Sequence, residues 1–341
     1  MTRRVSMVLK VATRDAGATG RLGRLEGHAV QDPGEPDAAG FVHAALFYQT
    51  PAEFTAGVLP YVEAGVAAGE PVMVASQGRN LRLLRARLDG MGERVAFTDL
   101  TSVGPNPGRL LGWMRQVNAQ HHGRTVRYVH EAVWPSRRPE EVGEVIRHEA
   151  LINQIVSSWR VSILCPYDLA LGPDVIASAG HTHPALISGG RHQASPSYDP
   201  QLVPAEYDRP LGDPPPDAAV LAYRDDLARV RAFTARQARR AGLPDRRVQD
   251  LVIAVAELAA NTLVHTSNPG ALGIWATTNE VICQVQDSGR IEDPLTGRLR
   301  PDAADAGGGR GLWVANQLCD LVEIRTGRNG TRVRLHMRLP A

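Results

Sequence analysis

The stretch ELAANTLVH, Glu257–His265, decides how the last third of this chain folds. Glu257, Asn261 and His265 are spaced four residues apart, so on an α-helix they share one face. The apolar residues around them fall on the other face, which predicts an amphipathic helix. An amide oxygen can ligate Mg²⁺ and a carboxylate can orient or deprotonate a nucleophile, so this face suits metal–phosphate chemistry. A solvated helical face would have the same spacing, and the pattern alone does not separate the two.

Two further segments place polar residues and glycines at strand ends. In QVQDSGR, Asp287 ends an apolar strand and Gly289 lies two positions on. A carboxylate there can accept a hydrogen bond from the exocyclic amine of adenine, and the glycine leaves room for the base. The alternative is an ordinary Asp-Ser-Gly turn. In GRNGTRVRL, Gly330 and Thr331 open the last strand.

A glycine-rich run, AGGGRGLWVANQL at 306–318, leads Gly309, Arg310, Gly311 and Leu312 directly into an amphipathic helix. Backbone N–H groups at such a helix start bind anions, and glycines permit a phosphate to approach closely. No Gly-Lys-Ser/Thr follows, so this is not a Walker motif. A flexible linker is the alternative interpretation.

Length and composition together predict two domains, since 341 residues exceed one typical domain. Residues 1–40 show no sustained hydrophobic periodicity, which predicts a mobile tail. Over 41–190, short apolar strands alternate with helices, which is the pattern of a mainly parallel α/β sheet. The proline-rich stretch 191–217 predicts an interdomain linker. Over 218–341, two helices, the first from about Ala219, precede mostly antiparallel strands, which predicts a two-layer α/β sandwich.

Overall composition excludes several classes of protein. Hydrophobic residues make up 43% and the net charge is only +2, which argues against a disordered chain and against direct nucleic-acid binding. Cys165, Cys283 and Cys319 lie far apart, with no CxxC pair, so neither a disulfide framework nor a zinc knuckle is predicted. No signal-peptide core and no run of about 18 apolar residues occurs, so we expect no membrane contact and a cytoplasmic location.

The order of these motifs over residues 219–338 resembles the ATPase family that includes gyrase, sensor histidine kinases and the anti-sigma-factor serine kinases. The resemblance implies a histidine-kinase ATPase fold that binds ATP with Mg²⁺, the ion being ligated through Asn261. Ile291 departs from the family, which has a second glycine there. The positions implied to bind ATP, which include the N box and both glycine boxes, are Asn261, Asp287, Gly289, Gly309, Arg310, Gly311, Leu312, Gly330 and Thr331.

Three kinds of protein within that family compete. The anti-sigma type, which the stretch beginning RAFTARQARRAG resembles, implies that Glu257 is the catalytic base for phosphoryl transfer to serine or threonine of an anti-anti-sigma (STAS-type) partner. Such a chain would also bind a sigma factor, and a homodimer stays open. A binding switch that uses ATP without transfer is the second kind. An atypical histidine kinase is the third; its phospho-acceptor would be the His148-Glu149 pair, about seventy residues before the second domain.

The first domain, over about 41–190, resembles the DcmR sensory domain called MEDS, on the segments FVHAALFYQT, AGEPVMVAS, ILCPYD and HTHPALI. The resemblance implies a degenerate relative of the RecA-like α/β fold. The first strand ends in Gln49-Thr50-Pro51, without a phosphate loop, so no second ATP site is predicted. A site for a small apolar or carbonyl-bearing signal is the implied function, and a protein-docking surface is the main alternative.

Chemically reactive side chains of this domain concentrate near predicted strand ends, where α/β sheets bind ligands. Imidazole and thiolate suit zinc, so His181, His183 and Cys165 are a candidate metal set. Structural polar residues at strand ends are the alternative. The candidate sensory residues are His43, Tyr48, Glu131, Cys165, Tyr167, Asp168, His181 and His183.

Overall fold

The protein contains two β-sheets. The computed structural model describes residues 41–103, 105–155, 159–199, 207–301 and 309–340. The predicted tail, 1–40, lies outside the described residues. The first sheet has seven strands and the second has five. The predicted fold class is confirmed: a mostly parallel α/β domain precedes an antiparallel sheet covered by helices.

The first sheet has the strand order β3-β2-β4-β5-β1-β6-β7. Its first six strands in that order pair in parallel, and β7 returns antiparallel to β6. The strands are β1 (Phe41–Tyr48), β2 (Val72–Ser76), β3 (Val95–Asp99), β4 (Val126–His130), β5 (Val161–Asp168), β6 (Ala185–Ser188) and β7 (Arg191–Ala194).

Helices cover both faces of this sheet, because its central strands are apolar on both sides. Alternation along β1 sends Ala45 to the face beneath α4, α5 and α6, and Leu46 to the face beneath α1 and α2. The helices are α1 (Pro51–Ala67), α2 (Gly78–Leu88), α3 (Leu100–Val103), α4 (Leu110–Gln120), α5 (Pro139–Ile155) and α6 (Pro173–Thr182).

The alternation of strands and helices predicted up to β5 matches the structure, but two predictions after it were wrong. Strand β7 lies inside the range predicted to be linker, because its backbone pairs with β6 in a hairpin. Strand β8 (Ala219–Tyr223) replaces the predicted start of a helix, because its backbone pairs with the strand Gly270–Ala276. Both segments have five residues or fewer, so pairing with a neighbouring strand decides their conformation.

The second sheet has the order β11-β12-β10-β9-β8, and every neighbouring pair is antiparallel. One face packs on three helices around a core that includes Leu251, Val255, Leu272 and Leu335. The remaining elements are α7 (Leu227–Arg240), α8 (Asp245–His265), β9 (Gly270–Ala276), β10 (Glu280–Asp287), α9 (Arg310–Leu318), β11 (Leu321–Gly327) and β12 (Gly330–Arg338).

The last part of the predicted linker is docked on this sheet. The Gly212 carbonyl accepts hydrogen bonds from Gln284 Nε2 at 3.2 Å and Arg334 Nη2 at 3.0 Å, and Asp213 pairs with Arg332 at 2.7 Å. This part of the linker is therefore bound to the second domain over its described residues.

Helix α8 is the one helix in the described part of the chain that is long and apolar enough to cross a membrane. Its apolar side belongs to the core of the second domain, against the antiparallel sheet.

Helix α5 joins the two domains through charged side chains. Glu144 pairs with Arg298 at 2.9 Å and with Arg325 at 2.6 Å. Glu141, one turn earlier, pairs with Arg338 at 2.6 Å. Charged groups are costly to bury unless they are paired. Moving α5 away from the second domain would remove these partners, so the ion pairs hold the two in contact.

Candidate nucleotide site and buried histidine cluster

Close packing between α8 and α9 brings the predicted helix motif to the glycine-rich segment. A Cβ at Gly311 would lie 2.9 Å from Asn261 Nδ2 and 3.2 Å from Glu257 Cβ, so any larger residue would push the helices apart. Glu257 and Asn261 are both partly exposed, one helical turn apart. The structure thus places Glu257, Asn261 and Gly311 together.

The carboxylate of Asp287 is held by two donors. Thr262 Oγ1 donates to Asp287 Oδ2 at 2.7 Å, and the Gly289 amide donates to Asp287 Oδ1 at 2.9 Å. Tyr223 Oη lies 3.0 Å from Thr262 Oγ1, and burial raises the pKa of Tyr223 to about 12, so its hydroxyl stays protonated at neutral pH. Each carboxylate oxygen keeps a second lone pair for a ligand donor.

The turn into β12 fits around the same carboxylate. Gly330 has φ of +98°, and a Cβ there would overlap the backbone carbonyl of Asp287, so only glycine fits. Thr331 Oγ1 donates to the Gly289 carbonyl at 2.8 Å and thereby fixes the loop after Asp287. Gly289, Gly330 and Thr331 therefore shape one wall of the site.

The start of α9 has the backbone geometry that the glycine-rich motif predicts. Gly309 precedes the helix with a left-handed φ of +84°, which glycine adopts without strain. Gly297, also with positive φ, lies so close to Leu312 that a Cβ would be 2.5 Å from the Leu312 Cβ. Residues 302–308, which hold the first glycines of the motif, lie outside the described residues.

These elements enclose a cavity of about 340 Å³. Glu257 does not line it, and Arg310 instead lines a groove shared by α4 and α9. Sequence reasoning missed four polar lining residues, Thr266, Arg290, Glu292 and Thr296, and it noted His265 on the helical face of Asn261 without assigning it to the site. The predicted residues that line the cavity are Asn261, Asp287, Gly289, Gly309, Leu312 and Thr331.

A nucleotide fits this site by the chemistry of its walls. A fixed carboxylate offers acceptors for an amino group, and Val285 and Leu258 supply an apolar surface beside it. Gly309 and Leu312 at the start of α9 also line the cavity, and the first amides of a helix have no partner within it and suit phosphate. Asn261, which lines the same cavity, offers an amide oxygen of the type that Mg²⁺ accepts.

The predicted sensory residues divide between the two faces of the first sheet. His43 on β1, Cys165 on β5 and His183 after α6 meet beneath α5, all fully buried, together with Glu149. His43 Nε2 lies 3.1 Å from Glu149 Oε2 and 3.4 Å from Cys165 Sγ. The ring of Tyr167 lies edge-on to His183, with 5.5 Å between ring centroids.

Two more histidines extend this cluster. His130 at the end of β4 and His148 on α5 group with Glu149, and both are buried. Burial lowers the pKa of His148 well below its ordinary value, so the ring is neutral. Sequence reasoning missed His130 and Glu149 as site residues and considered His148 only as a phospho-acceptor. The pair of polar residues His148-Glu149, on a helix whose other residues are largely core-forming, could have indicated these site residues from the sequence.

On the opposite face, Tyr48 and Glu131 form a separate polar cluster. Tyr48 Oη donates to Glu131 Oε1 at 2.8 Å and Asn80 Nδ2 donates to the same oxygen at 2.6 Å. Ser76 Oγ donates to the other carboxylate oxygen. Burial raises the pKa of Glu131 to about 7 despite these donors.

The remaining two predicted sensory residues lie outside both clusters. Asp168 caps a turn, since its Oδ1 accepts from the Ala170 amide at 2.9 Å. His181 Nδ1 donates to the Ser197 carbonyl at 3.0 Å at the surface. The candidate metal set was therefore wrong in His181, because a helical residue two positions before His183 points to a different side.

The fold and the cavity define a two-domain protein with a histidine-kinase-type nucleotide-binding module at its C-terminal end. Residues 42–184 match the family model of MEDS, the MEthanogen/methylotroph, DcmR Sensory domain, and residues 220–337 match the histidine kinase-like ATPase domain. The chain therefore contains a MEDS domain followed by a histidine kinase-like ATPase domain. No curated protein matches the chain.

Proposed function

We propose that this chain is a signalling regulator in which the MEDS domain controls an ATP-dependent serine/threonine kinase domain that acts on an anti-anti-sigma partner. The observation that carries the proposal is the packing of Glu257 and Asn261 against Gly311, beside the cavity that Asn261 lines. Bound ATP would supply the phosphoryl group. In this proposal Asn261 would hold Mg²⁺, and Glu257, one turn earlier, would accept the proton of an incoming hydroxyl.

Contacts between the domains support control of the ATP site by the first domain. The nucleotide end of α9 carries Gly309 and Gly311, while its other end receives Arg109 from the first domain. Arg109 Nε donates to the Asn316 carbonyl at 2.6 Å, and its Nη2 donates to the Cys319 carbonyl at 2.8 Å. A shift of the first domain would therefore move the helix that carries the phosphate-binding amides.

A second connection runs through α5. Arg298, which pairs with Glu144 of α5, belongs to the loop that packs on α9 through Gly297. Glu149, one and a half turns along α5, belongs to the buried histidine cluster. One rigid helix thus contacts both the candidate sensory cluster and the loop beside the ATP cavity.

A binding switch without phosphoryl transfer is the second candidate function. It is favoured by one observation, that Glu257 does not line the cavity while Asn261 does. In that case ATP would stabilise one conformation that holds a sigma factor or similar regulator. A histidine kinase is disfavoured, because the His148 side chain on α5 is completely buried and cannot reach a phosphoryl group.

Labelled ATP and candidate anti-anti-sigma proteins test the two functions. The full chain is incubated with [γ-³²P]ATP and each partner, and ATP affinity is measured in parallel. A kinase labels a partner serine or threonine, and Glu257→Gln abolishes the label while retaining ATP affinity. Asp225→Asn, at an exposed carboxylate of the same domain, is the control and should label normally.

The outcomes separate the candidates. Partner label that persists at the wild-type rate in Glu257→Gln removes Glu257 as catalytic base. ATP binding with ATP-dependent capture of a partner, and no label, overturns the kinase and supports the switch.

A further inference from the structure

The buried cluster beneath α5 brings four ligand atoms of the kinds that bind transition metals within 4.8 Å of one another. They come from four separate segments: His43 on β1, Cys165 on β5, Glu149 on α5 and His183 just after α6. All four side chains are almost entirely buried. Such groups are costly to bury without a partner that satisfies them.

Four of the six distances between these atoms are close to the edge lengths of a coordination tetrahedron, and all six are within 4.8 Å. Glu149 Oε2 lies 3.1 Å from His43 Nε2, 3.6 Å from His183 Nε2 and 3.7 Å from Cys165 Sγ. Cys165 Sγ lies 3.4 Å from His43 Nε2. Tetrahedral zinc with bonds of about 2.0–2.3 Å has ligand–ligand edges of roughly 3.3–3.7 Å.

The hydrogen bonds behind His43 direct its Nε2 lone pair into the cluster. Asn153 Nδ2 donates to the Thr182 carbonyl at 2.7 Å, so Asn153 Oδ1 is free to accept. His43 Nδ1 lies 3.0 Å from that oxygen and must carry the proton. Metal-bound histidines are typically oriented by such a bond from the other ring nitrogen.

His183 has the same arrangement. Its Nδ1 lies 2.9 Å from the Ala179 carbonyl, which can only accept, so Nδ1 carries the proton. The remaining nitrogen, Nε2, makes no hydrogen bond with any described residue and faces the Glu149 carboxylate. Two acceptors that face each other in the protein interior repel unless a cation lies between them.

We propose that His43 Nε2, Glu149 Oε2, Cys165 Sγ and His183 Nε2 bind one divalent transition-metal ion inside the MEDS domain. A set of two imidazoles, a thiolate and a carboxylate in tetrahedral arrangement favours Zn²⁺. Binding replaces the thiol proton of Cys165 by the metal, and that proton is released to solvent. The ion ties α5 to β1 and β5.

Metal content and Co²⁺ spectroscopy of the full chain test this site. Purified protein should retain about one Zn²⁺ per chain by elemental analysis after dialysis. Protein stripped of metal and loaded with Co²⁺ should show tetrahedral visible bands together with a thiolate-to-cobalt charge-transfer band. Cys165→Ser should lose the charge-transfer band, and His183→Gln should lower Zn²⁺ affinity by at least tenfold.

His181→Gln is the matched control, because that histidine lies two residues from His183 but bonds to the Ser197 carbonyl at the surface. It should keep full Zn²⁺ content and the wild-type cobalt spectrum. Circular dichroism checks that each variant is folded. The cobalt spectrum of the wild-type protein tests the site independently of any variant.

Two results would overturn the proposal. The first is folded wild-type protein that binds neither Zn²⁺ nor Co²⁺ at micromolar concentrations, in which case a proton shared by His43 and Glu149 occupies the centre. The second is bound metal whose amount and spectrum are unchanged in Cys165→Ser and His183→Gln.

Discussion

Arg298 Nη2 lies 2.9 Å from Glu144 Oε2, and this ion pair joins the two domains with both side chains almost fully buried. Arg325 approaches the other oxygen of the same carboxylate at 2.6 Å. Burial alone would raise the pKa of Glu144, but the neighbouring arginines hold it below the usual value. The carboxylate is therefore charged, and it pairs with two guanidinium groups of the second domain.

Replacing Glu144 with Gln is expected to destabilise the chain by about 3–5 kcal/mol, because two buried guanidinium groups lose their partner. The free energy of unfolding in urea measures the effect. Glu140→Gln, on an exposed position of the same helix, should change that free energy by less than about 0.5 kcal/mol. Equal effects of the two substitutions would show that the Glu144 pairs do not hold the domains together.

Asp287→Asn should weaken ATP binding at least tenfold, since a hydrogen bond to a charged group contributes about 1.5–3 kcal/mol. The amide keeps the size of the side chain and can still accept from Thr262 or the Gly289 amide. Isothermal titration calorimetry measures the affinity, with Asp225→Asn as the control. Unchanged affinity in Asp287→Asn would contradict the assignment of this carboxylate to adenine.

The turn between β11 and β12 offers a matched pair of glycines. Gly330→Ala should cost about 1–3 kcal/mol and reduce ATP affinity, because the positive φ and the overlap with the Asp287 carbonyl force the turn to move. Gly327→Ala, at the other end of the turn, meets no atom within 4 Å and should be nearly neutral. Thermal unfolding and nucleotide titration compare the two variants. Similar losses in both would mean that backbone entropy, not the contact with Asp287, explains the effect.

Glu131 should make the stability of the first domain fall as pH rises. Its folded pKa of about 7 lies above the ordinary 4.5, so between these values the folded state holds more protons than the unfolded state. The free energy of unfolding then decreases by roughly 3 kcal/mol from pH 4.5 to pH 7. Glu131→Gln should lack this contribution.

Urea unfolding at pH 5 and pH 8 measures the Glu131 effect as the difference between wild type and Glu131→Gln. Glu63→Gln, at an exposed position on α1, should keep the wild-type pH dependence. The same slope in Glu131→Gln and wild type would assign the titration to another group.

The sequence by itself determined the order of the two fold classes along the chain and six of the residues that line the candidate nucleotide cavity. Helical spacing of Glu257 and Asn261, and glycines at strand and helix ends, are local properties of the backbone, so short-range pattern is sufficient to predict them. The geometry then explained why Gly311 and Gly330 stand where they do, through contacts with α8 and with Asp287. The start of β8 was misread because a short strand depends on its partner.

Only the tertiary structure decided which polar residues of the first domain belong together. His43 and Tyr48 are five positions apart on β1 and fall on opposite faces of the sheet, in different clusters. Glu149 on α5 lies more than one hundred residues after His43 in the sequence. It contacts His43 and Cys165 because β1 and β5 are adjacent strands beneath α5. The sequence separation of these residues does not predict their contact. The order of the parallel strands and the packing of α5 over them bring the side chains together.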